Sequence, residues 1–415
     1  MREMKDSGIE WVEQIPSDWD VMPNKYVMKK KKDICPVYEG QDILSLTMNG
    51  VIVRDLDNPS GKMPATFDGY QAVHKENLLM CLFDIDVTPR CIGLIQNEGL
   101  VSPAYSQFVL KDNADAKFYY YYYLMMDNSK ELLHLAKNLR HSFTEDQLGA
   151  IRTPVPPKSL QIKIASALDQ KLLDVEKLIQ NVQAQIEKLK AYKQSLITEV
   201  VTKGLDPTVP MKDSGVEWIG KIPEHWTVIK TGRIFKENNR PKKEMDIPLS
   251  LSQVDGLIAT DDMKESSLKT ANYDNWKRVE IGDLVLNRFK AHLGVLFAST
   301  LEGMVSFHYG VYEARRLLSS KYFEYLYHSS PYRSILGSMS NGMVLGLQNL
   351  SNLNFYSVWS LFPPFEEQIQ IVTHLNEKCA QIDRLIAIKQ QKIEKLNQYK
   401  KSLIYEYVTG KREVE

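Results

Sequence analysis

Cysteine is scarce. Cys35, Cys81, Cys91 and Cys379 stand alone in 415 residues, with no CxxC pair and no zinc-type spacing to a histidine. That excludes a disulfide framework or a zinc scaffold and leads us to expect reduced thiols in a cytoplasmic protein. Excess charge is missing too, since 52 Lys and Arg balance 52 Asp and Glu. A histone-like protein held to nucleic acid by bulk charge is thereby excluded, but a local basic surface is not. No apolar run in the sequence reaches the ~18 residues of a membrane-spanning helix. Met1-Arg2-Glu3-Met4-Lys5-Asp6 is charged, so no signal peptide is expected.

Catalytic constellations are also absent. No glycine-rich cofactor loop follows a strand and no GxxxxGK[ST] loop exists, so neither S-adenosylmethionine nor ATP has an evident site and no cofactor is expected. The eight histidines are scattered without metal-ligand spacing. Phe362-Pro363-Pro364-Phe365 resembles the Asn-Pro-Pro-Phe motif of amino-methyltransferases, but Phe362 stands where the amide or acid is required. It is expected to be a helix start. What remains is an ordinary globular composition, 43% hydrophobic and 25% charged, long enough for two or three domains.

Present instead is a repeat. Met4-Lys5-Asp6-Ser7-Gly8-Ile9-Glu10-Trp11, with Ile15-Pro16 and Trp19, recurs as Met211-Lys212-Asp213-Ser214-Gly215-Val216-Glu217-Trp218, with Ile222-Pro223 and Trp226. The lag from Met4 to Met211 is 207 residues, half the chain. Internal repeats govern the architecture of a chain, so this one organises the rest. The four tryptophans are expected to be packing anchors.

From Pro156-Pro157 to Gly204 apolar residues fall at Leu168, Leu172, Val175, Ile179, Val182, Ile186, Leu189, Leu196 and Val200, with Lys193 in one slot. Steps alternating between four and three residues make a helix–helix seam, and the prolines suit a helix start. At 207 residues' lag, Leu375, Cys379, Ile382, Ile386, Ile393, Leu396, Leu403 and Tyr407 take the same slots, with Lys389 and Lys400 as interruptions. Each helix of roughly 44 residues should be on the order of 65 Å long. Antiparallel packing needs only a short connection over about residues 204–226. Parallel packing would make that connection run back the length of the helix.

Between these anchors the halves diverge, and only Gly99-Leu100-Val101-Ser102 and Gly303-Met304-Val305-Ser306 match clearly. Strand-like runs (Asp42–Leu46, Gly50–Val53, Asn77–Leu82), turn residues and a helical stretch over Ala116–Lys137 predict mixed α+β regions. Tyr119 to Tyr123 could stack on bases. A five-residue run points all round a helix, so most of it is expected in the core. Basic residues are better candidates for nucleic-acid contact: Lys62, Lys75, Arg90, Arg140 and His141 in the first region, and Arg240, Lys242, Lys243, Arg288, Lys290 and His292 in the second. The competing reading of any one of them is a solvated charge. The run Lys29 to Lys32 fits a solvated stretch or phosphate contact.

The duplicated Asp6-Ser7-Gly8…Trp19 and Asp213-Ser214-Gly215…Trp226 stretches resemble the specificity subunit of Type I restriction–modification systems. So does Pro363-Pro364-Phe365-Glu366-Glu367-Gln368, which is similar to the family's PPxxEQ-like helix entry. The first copy, Pro156-Pro157-Lys158-Ser159-Leu160-Gln161, departs by lacking both acids. The resemblance implies two target-recognition domains (20–155 and 227–362), each preceded by a linker (1–19 and 205–226) and followed by a long helix (156–204 and 363–411). The fold would be α+β, with mixed recognition domains separated by an antiparallel coiled coil and related by a pseudo-two-fold internal repeat. It further implies a non-catalytic subunit that reads a bipartite, asymmetric site on double-stranded DNA. Two methylation subunits would bring the methyl-donor cofactor and flip the adenine, and restriction subunits would add ATP-dependent cleavage. The reading from another class is a helical scaffold whose variable domains bind proteins.

Overall fold

The computed structural model describes residues 2–59, 63–136, 142–253, 255–263, 273–340 and 349–414. The chain divides into two compact units. One joins Met1–Gln183 to Gln391–Glu415, and the other is Ala184–Gln390.

The first unit begins with the repeat, which folds as a hairpin of Met4–Asp6 against Gln14–Pro16. Its Asp-Ser-Gly is a turn held by its own side chains. Asp6 Oδ1 accepts from Gly8 N at 2.9 Å and Ser7 Oγ from Ile9 N at 3.0 Å. Short polar side chains that bond the backbone two residues on are suited to such turns. A four-stranded antiparallel sheet follows in the order Met28–Lys31, Ser106–Leu110, Leu78–Met80, Ile92–Leu94. Three strand pairs accompany it: Asp20–Pro23 with Arg152–Val155, Leu44–Thr47 with Gly50–Val53, and Gln71–Val73 with Gly99–Val101.

The second unit repeats this topology strand for strand, although its sequence has diverged. Its hairpin pairs Met211–Asp213 with Lys221–Pro223. Its sheet runs Phe235–Glu237, Tyr309–Ala314, Leu284–Asn287, Leu296–Ala298. The pairs are Thr227–Lys230 with Trp359–Phe362, Leu249–Ser252 with Gly256–Ala259, and Lys277–Val279 with Gly303–Val305. Ala116–Asn128 in one unit and Ser320–His328 in the other are equivalent helices, capped by Asp115 and Ser319.

Two long helices, Lys158–Lys203 of 46 residues and Phe365–Val408 of 44, contribute a part to each unit. Each ends where a glycine takes a left-handed conformation, Gly204 at φ +79° and Gly410 at φ +70°. A side chain there would be strained, and the turn satisfies a trailing carbonyl. The helices pack antiparallel. Within the second unit Lys389 Nζ reaches Gln185 at 2.5 Å and Lys193 Nζ reaches Asp383 at 2.7 Å, so rising numbers on one helix meet falling ones on the other. Within the first unit Lys400 Nζ bonds Glu176 at 2.6 Å. Leu168, Val175, Val182, Ile186, Leu375, Ile382, Ile393 and Leu403 are buried, and Leu172, Ile179, Leu189, Leu196, Ile386 and Leu396 half-buried. Lys193–Asp383 and Lys400–Glu176 are the same pair at the repeat lag. Two of the polar slots in the seam are therefore filled by cross-helix ion pairs, and the third, Lys389, by a cross-helix hydrogen bond to Gln185.

In the first core Trp19, Phe118, Tyr119, Tyr122 and Tyr123 pack with Leu168, Leu403 and Tyr407. In the second, Trp226, Phe235, Tyr322, Phe323 and Tyr327 pack with Val201, Ile371 and Leu375.

Candidate nucleic-acid interface

Each α+β region is fixed to a long helix by a buried glutamine. Gln161 accepts from Asp115 N at 2.7 Å and donates to Asn113 O and Pro156 O. Gln368, 207 residues on, accepts from Ser319 N at 2.9 Å and donates to Pro363 O. The backbone N–H at the start of the tyrosine-bearing helix is thus tied to the first turn of the long helix. Sequence reasoning quoted Gln161 and Gln368 only as part of a motif. Their recurrence at the repeat lag was the signal that they act as a latch.

The linker tryptophans lie at the helix ends. Trp226 is buried and donates from Nε1 to Glu367 at 2.9 Å, which also bonds His225. Trp19 is equally buried, beside Gly410, but Leu160 stands at the position of Glu367 and the Trp19 indole N–H has no partner.

The tyrosine run belongs to the core. Tyr119, Tyr122 and Tyr123 have no exposed surface, and their hydroxyls bond Pro154 O, Trp11 Nε1 and Asn24 Oδ1 respectively. Tyr121 donates to Asp169 on the long helix at 2.6 Å, as Tyr325 does to Asn376 at 2.8 Å in the second unit. Burial pushes the phenols of Tyr122 and Tyr327 up to about 12, so both stay protonated.

The candidate basic residues separate into two groups. Arg90, Arg240 and Arg288 turn inward. Arg90 Nε lies 3.7 Å from buried Asp127, and Arg240 is held by Asp283 at 2.6 Å and Glu313 at 3.0 Å. Arg288 bonds Glu237 and Asn352. A cation drawn from water needs a carboxylate partner, so these guanidinium groups are engaged inside the protein. His292 is half-buried, and its Nδ1 lacks a partner. Lys75, Lys242, Lys243 and Lys290 are exposed. Lys62, Arg140 and His141 lie outside the described residues. Lys29, Lys30 and Lys31 of the Lys29-to-Lys32 run lie in the edge strand Met28–Lys31 of the first sheet, where lysines discourage pairing with another chain. It borders a cavity of about 310 Å³ that also holds Lys25, Lys111, Glu145 and Asp146.

On the long helices, exposed apolar residues recur at the repeat lag: Ile162 with Ile369, Leu178 with Leu385, Tyr192 with Tyr399. Each unit holds one member of every pair. Ile162, Leu178 and Tyr399 are in the first, and Ile369, Leu385 and Tyr192 in the second.

This architecture, two α+β regions of one topology, each latched to the first turn of a long helix, is found in solved proteins. It matches the HsdS subunit from Thermoanaerobacter tengcongensis at a TM-score of 0.54 and 12% identity, covering 96% of this chain and 98% of that one. A chain from a structure describing complex assembly and conformational transition of a type I R-M system matches at 0.68 and 12% identity, covering 95% and 98%. The fold is that of a type I specificity subunit. In sequence the chain is 27% identical over 286 residues to the putative type I restriction enzyme MjaX specificity subunit of Methanocaldococcus jannaschii. That alignment takes in 65% of this chain and 61% of the relative's length. No family model matches.

Proposed function

We propose that this protein is the non-catalytic specificity subunit of a cytoplasmic Type I restriction–modification complex. Regions 20–155 and 227–362 each read one half of a bipartite, asymmetric site on double-stranded DNA. The helices over 156–204 and 363–411, entered through the linkers 1–19 and 205–226, set the unread gap between the halves. The observation that carries this is the pairing of one topology with two unlike surfaces: shared strand order and shared latch, but divergent exposed residues. A protein that reads two half-sites of different sequence in one way needs that combination.

The duplicated exposed set Ile162, Leu178, Tyr399 and Ile369, Leu385, Tyr192 supports docking of two copies of one partner, the methylation subunit. Large apolar side chains left in water at equivalent places mark an interaction surface. Restriction subunits join through that complex.

The test is a gel-shift selection from random duplex DNA, using the chain with and without its methylation subunit. Recovery of a two-part motif with a fixed gap is the expected result. No sequence-selective retention in either state would favour a protein-binding scaffold instead. Labelled methyl donor added to the chain alone should give no incorporation.

A further inference from the structure

Both recognition regions place an exposed phenylalanine just past the same sheet strand. Phe83 comes five residues after Leu78 and Phe289 five after Leu284, the first residues of equivalent strands, and each is 38% exposed. One exposed phenylalanine needs no explanation. Two at the same topological position, in sequences that have otherwise diverged, suggest a retained task.

In the second unit the surroundings are specific. The Phe289 ring lies edge-on to His308 at 5.7 Å, and His308 lies 3.9 Å from Phe307, itself half exposed. Lys290 follows, with its side chain in solvent. Beneath this surface the backbone is braced. Asn287 Oδ1 accepts from Phe289 N at 3.1 Å, and Arg288 O accepts from Leu350 N at 3.0 Å. The Arg288 guanidinium is bound by Glu237 and Asn352, and Gly294 closes the turn at φ +74°. The tip is braced at its base, and its exposed groups include aromatic faces, Leu293 and the Lys290 cation. Aromatic rings contact thymine methyls or stack on bases, and lysine donates to guanine O6 and N7.

In the first unit Phe83 is followed by Asp84 and Asp86. Thr88 fixes that loop by donating from its hydroxyl and its N–H to Asp84 O at 2.8 and 2.9 Å. A carboxylate there accepts from the cytosine amino group and repels phosphate.

We infer that these two loops are the base-reading tips of their regions, with Phe289, Lys290 and His308 on one half-site and Phe83 with Asp84 on the other. Opposite charges at Lys290 and Asp84 give the two tips unlike base preferences. The inference rests on the DNA-specificity reading above and names residues within it.

The test uses the chain co-expressed with its methylation subunits in a host without adenine methylation, read by methylome sequencing. Variants are Phe289→Ala, Lys290→Glu, Lys290→Gln and Phe83→Ala, each first checked for an unchanged melting temperature and complex assembly. Phe289 and Lys290 variants should lower the preference for the correct base tenfold or more at one or two positions of one half-site. Phe83→Ala should do so in the other half only. A variant that methylates nothing is assayed for DNA binding as purified complex, where retained discrimination counts against the inference. If the wild type yields a bipartite motif and every variant keeps it at equal stringency, the tips do not read bases. Should the wild type yield no such motif, the specificity reading itself fails.

Discussion

Trp19 and Trp226 occupy the same place in the two units and are served differently. The Trp226 indole has the Glu367 carboxylate, whereas Leu160 stands at the equivalent position in the first unit and the Trp19 indole is unsatisfied. A hydrogen bond to a charged group is worth about 1.5–3 kcal/mol, and a buried donor left alone costs a similar amount. Replacing Glu367 by Leu should therefore destabilise the second unit by about 2 kcal/mol in a denaturant titration. Leu160→Glu should raise the stability of the first. His328 gives a pH dependence. It is half-buried, its shielded Nε2 has no partner, and desolvation lowers its pKa. The unfolded histidine takes up a proton near pH 6.5 that the folded one resists, so this contribution is present above that pH and is lost as pH falls below it. The melting temperature of the second unit should drop between pH 7 and 5, and His328→Phe should flatten that drop.

At the scale of elements, the helix seam was open to reading because a four-three alternation has one physical outcome, a stripe that must meet another stripe. The slots at Lys193 and Lys400 first looked like interruptions. Their ion pairs to Asp383 and Glu176 join the two helices at equivalent points, which gives them a part in register. Both pairs are partly exposed, so a double-mutant cycle of Lys193→Ala with Asp383→Ala should give a coupling of only about 0.3–1 kcal/mol. Inserting one heptad into both helices adds about 10 Å. At 3.4 Å per base pair that is roughly three base pairs, so the methylated motif should gain about three unread positions with both half-sites unchanged.

For the molecule as a whole, the duplication, the long helices and a pair of mixed α+β regions were legible in the sequence. The strand-for-strand match of those two regions was not. The reason lies in how each is stitched. In the first unit Gln107 accepts from His74 N and Asn77 Nδ2 and donates to Ala72 O, a network of amides. In the second the corresponding sheet is joined by charges, with Arg240 on Asp283 and Glu313, and Arg278 on Asp246 and Glu302. Different chemistry holds one topology, so residue identity is lost while strand order is kept. For the same reason the candidate basic residues were only partly legible. A lone arginine in sequence does not tell whether a carboxylate waits for it on a neighbouring element, as Asp127 on the helix Ala116–Asn128 does for Arg90. Exchanging residues 20–155 for the region of another specificity subunit should change one half-site in a methylome and leave the other untouched.

The division into units has a consequence for biosynthesis. Ala184–Gln390 is one continuous stretch, whereas the other unit needs Met1–Gln183 together with Gln391–Glu415. The unit encoded second can therefore complete first as the chain leaves the ribosome. Until Leu403, Ile404 and Tyr407 emerge, the earlier unit keeps Leu168 and its share of the seam uncovered. Nascent chains stalled near residue 390 and clear of the exit tunnel should resist protease over 184–390 and be cut within 158–183. A translation pause in the last helix would lengthen the interval in which a chaperone is needed.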